Sequence, residues 1–409
     1  MPDDLFHRQA SSEARLGDIA QFIRGITFKP DDVVPATVPT AVWCFRTKNV
    51  QAELDLSGVW GIPPGFVKRA EQFVIPGDIL VSSANSWNLI GKCCPIPDLP
   101  QRATFGGFVS VLRGNAAQVD ARYLYRWFSS DPVQAKLRSF GRKTTNISNL
   151  DMGRSLDLKL LLPSLVEQRR IAAILDQADA LRAKRRAALA QLDEMARAIF
   201  VEKFGDLAPQ SCKWPRQAFE QIVTDARIGL VRSSSDIGPE HPHRYLKMDA
   251  IGTNGDLDLA RATRTFAGAE EVRAYSLAPG DFLFNTRNSR ELVGKSAIFR
   301  SRVPHLFNNN IMRIRFCKDV AADYVLAAAR TPALQREIET KKSGTTSVFA
   351  IYWKDLKTLQ VPIPPKTLQA DFVERMEALR ASAEIQKRQG AELDGLFTSL
   401  QHRAFRGEL

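Results

Sequence analysis

Asparagine, arginine and lysine side chains can bond the edges of bases, while serine, threonine and lysine suit phosphate oxygens. In this chain of 409 residues such side chains gather in a stretch that is written twice. "PGDILVSSANSWNLIGK", Pro76 to Lys92, returns without a gap as "PGDFLFNTRNSRELVGK", Pro279 to Lys295. Pro-Gly-Asp, Asn-Ser and Gly-Lys are common to both copies and read as turns around a strand end, a structural frame. Trp87 stands against Arg290, and Ser82-Ser83 against Asn285-Thr286, so these divergent positions are the first candidates for reading different bases. Asn85, Lys92, Arg287, Asn288 and Lys295 complete the two loops. Further polar and basic segments add Arg46, Lys48 and Asn49 of "RTKN", then Arg142, Lys143 and Thr144 of "GRKTTN". The second half contributes Lys247, Asn309 of "NNN", and Lys341, Lys342 and Thr345 of "KKSGTT".

Catalytic arrangements are not found alongside these binding residues. No "DPPY"-like or Pro-Cys loop marks a methyltransferase, and "FGG" at Phe105–Gly107 lacks a strand–loop–helix setting. "GKS" at Gly294–Ser296 resembles the end of a phosphate-cradling loop, but Ser289 occupies the place of the required glycine. "DLK" at Asp157–Lys159 and Asp355–Lys357 resembles half of a nuclease site, yet the two copies do not align within the repeat. His241 and His243 have no third ligand of metal-binding spacing. The chain reads as non-catalytic, with no bound cofactor and no metal.

The formal net charge of +12 and a pI near 9.6 favour a polyanionic partner, DNA or RNA before a membrane surface. No apolar run is long enough to span a bilayer, and the N-terminal residues lack a signal pattern, so a cytoplasmic protein is expected. Five cysteines, odd in number and without ligand spacing, are expected to be reduced and mostly buried.

The duplication extends well beyond the loop. "LPSLVEQ" at Leu162–Gln168 answers "IPPKTLQ" at Ile363–Gln369, and "ELDL" at Glu53–Leu56 answers "DLDL" at Asp256–Leu259. Each repeat opens with short apolar stretches broken by Gly, Pro, Asn and Asp, the texture of a strand-rich or mixed domain. Each ends in a long helical pattern. On the first helix Ile171, Ile174, Leu181, Leu192, Met195 and Ile199 recur by threes and fours, with Ser164 and Glu167 as a capping box and Gly205 as a stop. On the second, Phe372, Met376, Leu379, Leu393, Phe397 and Leu400 form the matching seam. Such narrow seams need covering, so the two helices are expected to pair, antiparallel by pseudo-symmetry. The basic run "LRAKRRAAL" at Leu181–Leu189 is a solvated face, or a neutraliser of spacer phosphates if the helices lie along a duplex.

"LGDIAQFIRG", "PGDILVS", "LPSLVEQRRIAAILDQADALRAKRRAAL", "IFVEKFGD" and "HRAFRGEL" together resemble the specificity (S) subunit of a Type I restriction–modification system. The second repeat departs from the pattern at "IPPKTLQADFVERM". The resemblance implies an α/β (α+β) fold with two pseudo-symmetric globular target-recognition domains separated by two long helices in an antiparallel coiled coil. The domains would span 1–163 and 208–363, and the helical spacers 164–207 and 364–409. Each domain would read half of a split, asymmetric site in double-stranded DNA. The helices would dock methyltransferase subunits, two in number. S-adenosylmethionine, ATP and Mg would be bound by those subunits and by the restriction/translocase subunits. The rival readings are a methyltransferase or nuclease-associated enzyme, and a coiled-coil scaffold that does not read DNA.

Overall fold

The computed structural model describes residues 12–143, 147–344 and 347–409. They form two compact units, Met1–Arg186 with Arg388–Leu409, and Ala187–Lys387. The architecture is mixed α/β, with a β-rich body in each unit and two long helices, Leu165–Phe204 and Lys366–Ala404. The division between the units falls inside the helices, so each unit contains a piece of both.

In the first unit a four-stranded antiparallel sheet runs Ala20–Arg24, Val109–Gly114, Ile79–Ser82, Cys93–Pro95. Its strand Ile79–Ser82 is buried on both faces. Ile79 and Val81 point to a core shared with Tyr123, Leu124 and Phe128, while Leu80 points to a second core with Phe45 and Phe105. Ser12–Arg15 pairs with Lys159–Leu162 just before the first long helix. The second unit repeats this order with Val223–Ile228, Ile311–Phe316, Phe282–Asn285 and Ser296–Ile298, and with Arg216–Ala218 against Gln360–Pro362. Phe282 and Phe284 face one core and Leu283 the other. The cysteines are free thiols. Cys44, Cys93 and Cys94 are buried, and burial pushes the Cys44 and Cys94 thiols up to about 12.

Each long helix starts at a buried glutamine that satisfies backbone groups of its own unit. Gln168 accepts from the Asp120 amide at 2.8 Å and donates to the Gln118 and Pro163 carbonyls. Gln369 does the same with the Ala321 amide, Asp319 and Pro364. The Glu167 amide donates to Ser164 Oγ at 3.3 Å, and Gly205 follows the helix at φ +77°, so both ends lie where their capping residues predict.

The helices pack antiparallel. In the first unit Arg170 donates to the Leu409 carbonyl, and Arg182 Nε lies 2.5 Å from Asp394 Oδ1. In the second, Phe204 and Phe372 rings meet at 5.4 Å and Lys203 pairs with Asp371. The seam of the second helix is where the spacing put it, with Phe372, Met376 and Phe397 buried and Leu379, Leu393 and Leu400 half-buried. On the first helix the expected seam needs correction. Leu181 and Met195 are 52% and 50% exposed, and Ile174 and Ile199 are half-buried. The covered line runs instead through Ile171, Leu175, Ala178 and Arg182, and further on through Leu192, Ala196 and Phe200. The covered line is itself a seven-residue repeat, in which Leu175, Arg182 and Ala196 take the places expected for Ile174, Leu181 and Met195, so the stripe is turned by one residue from its first turn onward. Arg182 stays in the seam by stacking its guanidinium 4.4 Å over the Phe397 ring.

One ion pair between body and helix is reversed in the second unit, where Arg330 of the body also binds Asp193 of the first long helix. In the first unit, Arg122 and Arg126 on the short helix Ala121–Phe128 bind Asp176 and Asp179 of the long helix, at 2.8 to 3.2 Å. In the second, Asp323 stands where Arg122 stood and Arg380 where Asp179 stood, and these two pair with each other. Arg300 joins Asp323 at 2.5 Å. We expect Asp323→Arg to lower unfolding stability by about 2–3 kcal/mol, since it leaves like charges face to face. Adding Arg380→Asp should recover at least half of that loss, as read by urea denaturation of both variants.

Candidate nucleic-acid interface

The duplicated loop is held by its shared residues. Asp78, 1% exposed, accepts two bonds from Arg113, at 2.7 and 2.6 Å, and one from the Ile75 amide. Asp281 repeats this with Arg315 and the Ala278 amide. Gly77 and Gly280 adopt φ of +89° and +95°, and Gly91 and Gly294 +81° and +94°, a region open to glycine without strain. The lysine after the second glycine reaches back across the unit. Lys92 Nζ donates to Gln51 Oε1 at 2.6 Å, and Lys295 Nζ to the Ile251 carbonyl at 2.6 Å. Burial lowers the Lys295 ammonium below its ordinary range.

Several divergent candidates turn inward, which corrects their expected role. Ser82, Ser83, Asn285 and Thr286 are buried, as is Asn49. Ser83 Oγ accepts from Ser110 Oγ at 3.1 Å, and Asn285 Nδ2 donates to the Arg287 and Asn310 carbonyls. Asn49 closes a turn by accepting from the Arg46 amide and donating to the Asp55 carbonyl. Arg46 is half-buried, its guanidinium 3.4 Å over the Trp60 ring and bonded to the Gly58 carbonyl. Ser83, Asn285, Asn49 and Arg46 are thus bonded within the unit, and Thr286 is buried there. We therefore assign them to the frame.

The remaining candidates lie toward solvent. Trp87, Lys48, Arg287 and Arg290 are exposed, and Asn85, Asn288, Lys247 and Asn309 are half-buried. Short sheets bring them beside the downstream basic segments. Ala84–Asn85 pairs with Ser148–Asn149, which pairs with Arg142–Lys143. Arg287–Asn288 pairs with Phe349–Ala350, which pairs with Ser343–Gly344. Thr144 and Thr345 lie outside the described residues. Arg290 Nε contacts Glu339 at 2.8 Å, and Lys342 donates to the Arg290 carbonyl and binds Glu339. Lys341 donates to Thr358 Oγ1.

Each tip therefore joins two segments that are about sixty residues apart in sequence. A third segment joins them that sequence reasoning missed. The amides of Ser83 and Ala84 both donate to the Phe108 carbonyl at 3.1 Å, and the Thr286 amide donates to the Asn310 carbonyl at 2.8 Å. Phe108 is 63% exposed. The signal was the replacement of Gly106-Gly107-Phe108 by Asn308-Asn309-Asn310 within the repeat. Among the described residues no group of three or more His, Cys, Asp or Glu side chains is placed to hold a metal ion, and no helix is long and apolar enough to cross a membrane.

Residues 11–191 match the family described as the Type I restriction modification DNA specificity domain. Across 97% of its length the chain is 26% identical to the EcoKI specificity subunit of Escherichia coli K12, covering 88% of that protein. The fold is similar to that of the Type I restriction-modification S subunit from M. genitalium, with a TM-score of 0.56, 14% identity and 98% of both chains covered. It is also similar to a chain from a study of complex assembly and conformational transition in the type I R-M system, at TM-score 0.52, 17% identity and full coverage of both.

Frame and tip should separate on mutation. Asp281→Asn removes the charge bound by Arg315 inside the unit and is expected to cost about 2–3 kcal/mol in chemical denaturation. Arg290→Ala, at an exposed ion pair, should leave stability within about 0.5 kcal/mol. The same variant should weaken DNA binding by the assembled complex.

Proposed function

We propose that this chain, which belongs to the specificity-subunit family of Type I restriction–modification systems, reads the two halves of one split, asymmetric site in double-stranded DNA. Members of the family supply DNA specificity and are non-catalytic in these systems. The observation that carries the proposal is a frame built twice with different tips. Asp78 and Asp281 make equivalent bonds, as do Gln168 and Gln369, whereas Trp87 and Phe108 of one tip are replaced by Arg290 and Asn310 in the other. Two unlike readers on one scaffold fit a target whose halves differ in sequence.

In this reading residues 1–163 and 208–363 are the target-recognition domains, and 164–207 and 364–409 are the spacers that fix their separation. Arg142, Lys143, Lys341 and Lys342 serve phosphates, and the tips serve base edges. The spacers dock two methyltransferase subunits, which bind S-adenosylmethionine and transfer the methyl group. Restriction subunits supply the ATP- and Mg-dependent translocation and cleavage. The second structural relative comes from a study of the assembly of a type I R-M system, which supports a chain that works inside a larger complex.

Four residues inserted at Ala188 lengthen that helix by about one turn, ~6 Å. The expected result is an altered spacer between half-sites in genome-wide methylation maps; an unchanged spacer rejects the ruler. Exchanging residues 208–363 for those of another specificity subunit should change one half-site and leave the other intact in the same maps.

A further inference from the structure

The two tips differ in kind as well as in sequence. At two positions that the repeat makes equivalent, the first unit carries Trp87 and Phe108 and the second Arg290 and Asn310, while a third, Ile147 against Val348, is apolar and exposed in both. Trp87 is 48% exposed and Ile147 42%. Phe108 sits on a turn held by backbone bonds. Its carbonyl accepts from the Ser83 and Ala84 amides, the Gly106 amide donates to Phe45, and the Val109 amide donates to Gly106. A large ring is thus displayed in water on a supported turn that bonds Ala84, whose strand belongs to the same short sheet as Arg142–Lys143. In the second unit the support is alike, but Asn308, Asn309 and Asn310 replace the ring and its glycines.

Within the major groove the thymine 5-methyl group is the apolar feature that distinguishes one pyrimidine, and Phe is among the side chains that contact it. We propose that the first unit recognises its half-site in part through apolar contact of Phe108 and Trp87 with thymine methyl groups. The second unit, with Asn309 and Arg290 at its tip, relies on hydrogen bonds instead. The neighbouring basic strand and the chain's charge of +12 favour DNA over a protein surface as what covers this apolar tip.

This inference rests on the two-reader function proposed above, and the experiment keeps the two apart. The complex of the full chain with its methyltransferase subunits is tested on duplexes of its methylated site. Thymines in one half-site at a time are replaced by uracil, which removes only the methyl group. The half-site that survives the 208–363 exchange identifies the first unit's target. Uracil there is expected to weaken binding about fourfold per methyl group, against less than twofold in the other half. Phe108→Asn should lower affinity for the thymine duplex and abolish the difference between thymine and uracil, while Phe108→Leu retains part of it. Equal uracil effects in both halves, a first half-site without thymine, or an unchanged uracil response in Phe108→Asn overturns the proposal alone. Loss of the methyltransferase subunits from the Phe108→Asn complex in gel filtration would make the occupant a protein, and also overturns it. A wild-type complex with no sequence preference would instead overturn the two-reader function.

Discussion

A helix of forty residues with a narrow apolar stripe cannot be stable in water alone, and the rest of this molecule depends on how that stripe is covered. Each β-rich body covers part of its own helix through Tyr123 and Phe128, or Tyr324 and Val325. The opposite helix covers the remainder. Because the pairing is antiparallel, the body that precedes the first helix also packs against the end of the second. Phe397 and Ala404 lie in the same core as Leu16 and Ile171, although they are separated by most of the chain. The position of either loop tip is therefore set by long-range burial, and not by the local loop.

The frame is held by polar side chains bonded from within. The buried aspartates, the glutamines at the helix starts and the lysines after the turn glycines all satisfy backbone or side-chain partners in the same unit. A buried polar group without a partner is costly, so these positions tolerate little change. The tip positions have no such obligation, and there the two copies have diverged.

Much of this was legible in the sequence. The repeat, the long helices, their capping residues and the frame role of Pro-Gly-Asp followed from spacing and residue chemistry. The phase of the first helical seam did not, because Ile174 and Leu175 are both apolar neighbours and spacing alone does not say which of the two faces the core. Polar loop residues were also mistaken for readers where the sheet buries both faces. Alternation tells which residues share a face, and it is silent on whether water reaches that face. Ser82 and Asn285 end strands whose two sides are both covered. Phe108 was overlooked for the converse reason, since an aromatic residue after two glycines reads as core.

The reversed ion pair between body and helix has a consequence for a molecule built from near copies. A duplicated protein risks seating either body on either helix, because their apolar surfaces are alike. In the wrong seat Arg122 and Arg126 would meet Arg380 beside Glu377, and Asp323 would meet Asp176 and Asp179. Like charges facing across a partly dry contact disfavour the exchanged arrangement. Electrostatic handedness of this kind lets the chain tell its left from its right, and any transplanted half must arrive with the sign its new seat requires.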